Sequence, residues 1–164
     1  MLPALPVHVL ARNLARALAA DAVFGGACEA RFGKAQTVFM DSTGAAVLDD
    51  LYPFVVVSPE REDFGRGERT IAINVLLCIR ALGDEPGSAK PVQGAEGFFE
   101  LPGADVLQDI AAGLVVAVLA AKIGAILADW SADWDFGSEW PEQSALLTFN
   151  YKNPFTYQQT TERT

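Results

Sequence analysis

The sequence predicts an α+β fold, with one mixed, mostly antiparallel sheet and two helices packed on one face. Three observations predict it. Residues 69–80 alternate at period two: Ile71, Ile73, Val75, Leu77 and Ile79 fall on one face, and Thr70, Ala72, Asn74, Leu76, Cys78 and Arg80 on the other. Residues 6–20 and 104–122 instead repeat apolar side chains every three or four positions, the spacing of a helix face. The segments run helix, three strands, a short fourth strand, helix and two strands, with no internal repeat and no composition break that would mark a second domain.

The first helix is read from Val7, Leu10, Leu14 and Leu18, with Arg12 and Arg16 on another face. Pro6 suits its first turn, where a missing N–H costs nothing. Gly25 and Gly26 are expected to end the segment. Residues 35–40 form a short strand, followed by the turn-rich Asp41-Ser42-Thr43-Gly44. Residues 53–58 form a second strand, whose three consecutive valines imply burial on both faces. Residues 58–69, charged and containing glycine, are read as a long loop. A second long loop is expected over 81–95, with Phe98, Phe99 and Leu101 in a short edge strand.

The second helix carries an inward stripe of Leu107, Ile110, Leu114, Val118 and Ala121, and Ala111, Ala112 and Gly113 permit close packing on a sheet. Over 125–134, Ile126, Ala128, Trp130, Ala132 and Trp134 share one face, while Leu127, Asp129, Ser131 and Asp133 share the other. A last strand spans 144–151. One domain is therefore expected over 1–151, with a polar tail at 152–164.

The chain has 164 residues, enough to bury a core without covalent staples. Its net charge of −9 repels DNA and anionic lipid, which argues against nucleic-acid binding. The charge is uneven: residues 1–37 hold four bases (Arg12, Arg16, Arg31, Lys34) and two acids, which reads first as a chance distribution and second as a basic end and an acidic body that would favour head-to-tail contact between copies. The N-terminus does not read as a signal peptide. The most apolar run, Ile110 to Ala121, is shorter than a bilayer span. Cys28 and Cys78 lie in no CxxC motif, so no disulfide framework is indicated, and Cys78 reads as a small buried hydrophobe in a reducing compartment.

No catalytic motif is present, and no catalytic, cofactor-binding or metal-binding residue is assigned. His8 is the only histidine and reads as a surface or cap residue of the first helix. No glycine pattern matches a phosphate cradle. Asp129, Asp133 and Asp135 share parity and would line one strand face, but residues spread along a strand do not converge on one ion. They read as a solvated sheet face, or as the acidic lining of a channel built from several copies. Trp130 and Trp134 read as core.

The order of elements, together with Leu51-Tyr52-Pro53-Phe54-Val55-Val56-Val57, the strand Thr70–Arg80 and the closing Phe149-Asn150-Tyr151, resembles the tail terminator and minor tail proteins of long-tailed phages and prophages. The resemblance implies a non-enzymatic structural protein of the virion tail, made in the host cytoplasm, without cofactor or membrane. It implies a homo-oligomeric ring, commonly of six copies, that caps the tail tube and contacts the head connector. It makes Arg61, Arg66 and Arg69 candidates for a docking loop, and Asp129, Asp133 and Asp135 candidates for a lumen lining. The second long loop and the Ala-rich helix depart from that pattern. Two rivals stand beside it: an intracellular adaptor that binds a protein partner by its sheet edge, and a small-molecule enzyme, which needs a pocket of convergent polar groups.

Overall fold

A computed structural model of the chain describes residues 5–40, 51–65, 67–80, 90–91, 93–100, 103–138 and 141–153. Its elements are α1 (Val7–Ala20), α2 (Ala22–Phe32), β1 (Thr37–Met40), β2 (Phe54–Gly65), β3 (Glu68–Arg80), β4 (Lys90–Pro91), β5 (Phe99–Glu100), α3 (Ala104–Ala120), β6 (Ile126–Asp135) and β7 (Glu142–Asn153). Five strands form one sheet in the order β1-β2-β3-β7-β6. The β1–β2 pair is parallel and the other pairs are antiparallel. The fold is α+β with a mixed sheet.

Period two in β3 and β7 dictates where the core sits. Ile71, Ile73, Val75, Leu77 and Ile79 face the helices beside Ala145, Leu147, Phe149 and Tyr151, and all nine are buried. Leu10, Leu14 and Leu18 of α1, Phe24 and Cys28 of α2, and Leu107, Ile110 and Leu114 of α3 close over them. α1 packs on β1 and β2, whereas α3 packs on β7 and α2. Among the described residues, the opposite sheet face has a small apolar cluster near β1, centred on Phe54, Val56 and Cys78.

Among the described residues, three helices, not two, make up this layer. Gly25 and Gly26 lie inside α2 rather than ending a helix. The break falls at Asp21, whose carboxylate caps α2 by accepting a 2.7 Å hydrogen bond from Phe24 N. Gly25 sits where a Cβ would stand 3.1 Å from Gln36 Oε1, so the residue that looked like a breaker serves packing.

Residues 58–69 are also not a loop. β2 runs on to Gly65, β3 begins at Glu68, and the two pair as one long hairpin as far as Gly65–Glu68, with Gly67 at φ 78°. Glu60 is the extra residue of a β-bulge between Pro59 and Arg61. The short strand expected near Phe99 forms, but it pairs with Lys90–Pro91 in a separate two-stranded sheet, not on the edge of the main one. β7 takes in Lys152 and Asn153, while positions 154–164 of the expected tail, like 81–89 of the second loop, lie outside the described residues.

Two glycines test the backbone account. Gly124 has φ 102°, and an added Cβ would meet Leu5 Cδ1 at 2.9 Å, whereas Gly26 is a helix-interior position with nothing within 4 Å. Gly124→Ala is expected to destabilise the protein by about 1–3 kcal/mol. Gly26→Ala is expected to stabilise it by roughly 0.5–1 kcal/mol, through helix propensity alone. Urea unfolding midpoints check both signs.

The thiols give a pH test. Burial pushes Cys28 and Cys78 up from 9.0 to about 12, and the neighbouring Glu142 carboxylate adds to the effect at Cys78. Burial raises the Tyr151 phenol as well. A raised folded pKa means that the folded state holds its proton longer. The stability these groups contribute is complete below about pH 9 and is lost as pH rises toward 12. The melting temperature should fall across that window. At pH 8 an aromatic disulfide reagent should label the native protein at least a hundredfold more slowly than the urea-unfolded chain.

Candidate functional site

Among the described residues, an apolar groove lies between α3 and the edge strand β6. It has a volume of about 370 Å³, with Ala111, Ala112 and Val115 of α3 on one wall and Trp130 and Trp134 of β6 on the other. The two indoles lie on the helix side of the sheet, since Trp130 pairs with Phe149 and Trp134 with Ala145 in the β6–β7 register. Sequence reasoning put them in the core, but Trp130 is 44% exposed and Trp134 41%. The reason is geometric. β6 is the last strand of the sheet, α3 lies over β7, and the α3 wall of the groove includes the short side chains Ala111 and Ala112 beside Gln108 and Val115. One face of each indole is anchored: Trp130 stacks on Phe149 with centroids 6.2 Å apart, and Trp134 on Phe136 at 5.8 Å. The other side of each opens into the groove.

Ile126 does not share this face. A β-bulge at Ala128 switches the parity of β6, so that Leu127 pairs with Tyr151 on the helix side and Ile126 pairs with Lys152 on the outer side. Ile126 is exposed there, and Val116 and Leu119 are exposed on α3. Among the described residues no strand pairs with the outer edge of β6, which makes its backbone N–H and C=O groups a ready template for another chain.

Asp129, Asp133 and Asp135 do share one face, the outer face of β6, in register with Asn150, Leu146 and Ser144. Asp129 accepts a 2.6 Å hydrogen bond from Asn150 Nδ2. Asp135 accepts from Ser138 Oγ, from Ser138 N at 2.9 Å and from Gly137 N at 3.2 Å, and these donors hold its carboxyl below the usual range. Among the described residues, no group of three or more His, Cys, Asp or Glu is placed to hold a metal ion.

Of the three candidate docking arginines, the two described ones, Arg61 and Arg69, lie on opposite faces of the hairpin. Arg61 is on the outer face of β2, exposed and paired with Asp63 at 2.9 Å. Arg66 lies outside the described residues. Arg69 is only 3% exposed and points under the helix layer, where Nη2 donates to Glu62 Oε2 at 2.8 Å and Nη1 donates to the Leu5 carbonyl. A buried guanidinium needs such partners, so Arg69 ties the hairpin to the chain entering α1 and is a structural residue. His8 opens on a shallow hollow with Leu5, Phe64, Glu62 and Arg69. The one carboxylate lining that hollow, Glu62, is already engaged by Arg69.

The groove had a sequence signal that the period-3.6 reading passed over. Val115 and Val116, then Val118 and Leu119, make α3 apolar on flanks that one sheet cannot cover. No protein-family model matches the chain, and no characterised protein matches its sequence.

If the indoles are surface residues, truncating one leaves the core intact. Trp134→Ala is expected to cost less than about 2 kcal/mol, against about 3–5 kcal/mol for Phe149→Ala at the fully buried position on the neighbouring strand. Chemical unfolding of the two variants side by side checks the difference.

Proposed function

We propose that this protein is a structural ring subunit of a long-tailed phage or prophage tail, one that caps the tail tube and contacts the head connector. The observation that carries the reading is the β6 edge, where two half-exposed tryptophans and an apolar helix flank meet an unpaired strand. Exposed aromatics anchored on one side are the kind of residue that dominates protein–protein contacts. Covering such an edge is what association of subunits accomplishes, and closed rings leave no copy with an uncovered edge.

The acidic outer face of β6 supports the same reading. Carboxylates of Asp129, Asp133 and Asp135, repeated around an axis, would give a lumen along which DNA slides without adhering. His8 with a single, already engaged carboxylate supplies no acid–base pair, so the reading needs no turnover. The free β6 edge equally suits an adaptor that takes one strand or helix of a different protein. In that case the chain would remain a monomer.

Light scattering after size exclusion, over a hundredfold range of concentration, separates the two. The ring reading expects a defined multiple of 17.5 kDa, six copies being the family's common number, and annular particles in negative stain. A monomer at every concentration would count against it and favour the adaptor.

A further inference from the structure

We propose that the outward face of α3 is covered by α3 of a second copy of this chain, the two helices packing antiparallel about a two-fold axis. The inference does not rest on the ring reading. The contact is made by α3 and its groove, not by the backbone edge of β6, and it closes at two copies.

Composition and exposure disagree along α3. From Ile110 to Ala121 no side chain is polar. A helix that is apolar all round belongs in an interior. Three of its sides are accounted for. Leu107, Ile110 and Leu114 face the core, Gly113 approaches Phe24 and Ala27 of α2, and Ala111 and Val115 line the groove beside β6. The fourth side is open. Ala112, Val116 and Leu119 are exposed, Val116 by 55% and Leu119 by 61%. With Asp105 they follow one another at steps of seven, four and three, so they form one ridge along the helix.

Charge on that same ridge selects a second copy. The ridge begins at Asp105, in the first turn, and Lys122 is exposed just past the helix end. Neither makes an ion pair among the described residues, whereas Asp109, on the flank toward α2, is held by Arg31 of that helix. Turned end for end, a second α3 brings its Lys122 to Asp105 and its Asp105 to Lys122, so the face complements itself. A parallel pair would set like charges together.

Matching the ends places the two-fold axis near Leu114. Val116 and Leu119 of each copy then lie over Ala112 and Gln108 of the other, which belong to the α3 wall of the groove. The short Ala112 lets the helices approach to about 8–10 Å. The branched side chains of one copy thus enter the groove of the other, against the open sides of Trp130 and Trp134.

The full chain tests this. Light scattering is expected to give twice 17.5 kDa as the smallest assembly. Val116→Glu with Leu119→Glu changes two exposed positions, so circular dichroism and melting temperature should hold while the affinity falls by about tenfold or more. Asp105→Lys and Lys122→Asp are each expected to weaken pairing by roughly threefold to tenfold, and the two changes in one chain to restore it. A short bismaleimide should join Ala112→Cys to a second copy, Cys28 and Cys78 being buried, and should leave Ala19→Cys on α1 unjoined. Annular particles that these variants leave unchanged would overturn this contact and leave the ring reading standing. A double swap that fails to recover the pair would overturn it too. Dimers that depend on α3 and never close into rings would support the contact and remove the ring reading. A wild type that is monomeric at every concentration overturns both.

Discussion

The β3–β7 pair is the constraint from which the rest of the molecule follows. Its twelve residue pairs, from Arg69–Asn153 to Arg80–Glu142, run without a bulge, so one row of side chains faces the helices for the whole length of both strands. That row is branched aliphatic or aromatic apart from Ala145 and the residues at its ends, and leaving it in water would cost about 1.5–3 kcal/mol for each large side chain. A helix layer on that side is therefore obligatory. The outer row of the same strands carries Thr70, Asn74, Thr148 and Asn150, with a 2.9 Å hydrogen bond from Thr148 to Asn74, and it needs no layer. The one-sided architecture is a consequence of this single register.

A one-sided sheet of five strands leaves its ends unequally covered. α1 reaches β1 and β2, α2 fills the space beside α3, and α3 stops over β7. β6 receives no helix of its own. Its inward residues are nonetheless large and aromatic, and the α3 wall opposite them includes the short side chains Ala111 and Ala112. The same alanines that let α3 sit close to the sheet leave a trough at its edge. A surface designed only for water would carry charged or short side chains at those positions. Trp130, Trp134, Val116 and Leu119 stay exposed instead, apolar side chains of the kind that the proposed subunit contact would cover.

The hairpin at the other side of the sheet shows how a charge can serve the fold. Past the bulge at Glu60, the β2–β3 register places Glu62 and Phe64 on the helix side with Arg69. The arginine then bridges the hairpin to the Leu5 carbonyl, just before α1. Paired in this way the charge is tolerated while buried, and it holds the chain entering the first helix to the hairpin.

Much of the fold was legible in the sequence because period two and period 3.6 are local properties: β3, β7, α1 and α3 follow from spacing alone, and so does the single face of Asp129, Asp133 and Asp135. Other features were decided by contacts between distant segments. The hairpin end of β2 carries no alternation because both its faces are largely exposed, so Ser58 to Gly65 looked like a loop. Gly25 and Gly26 looked like breakers because the helix they belong to is specified by its Asp21 cap and by packing against α3. The bulge at Ala128, which moves Ile126 off the tryptophan face, depends on the partner strand. Burial of Trp130 and Trp134 depends on which strand ends the sheet and where α3 stops. Sequence by itself determined the class of fold, the core rows and the acidic strand face, since each is a repeat along one chain segment. Tertiary structure alone decided that the tryptophans lie open at an edge, because exposure is a property of what the neighbouring elements leave uncovered.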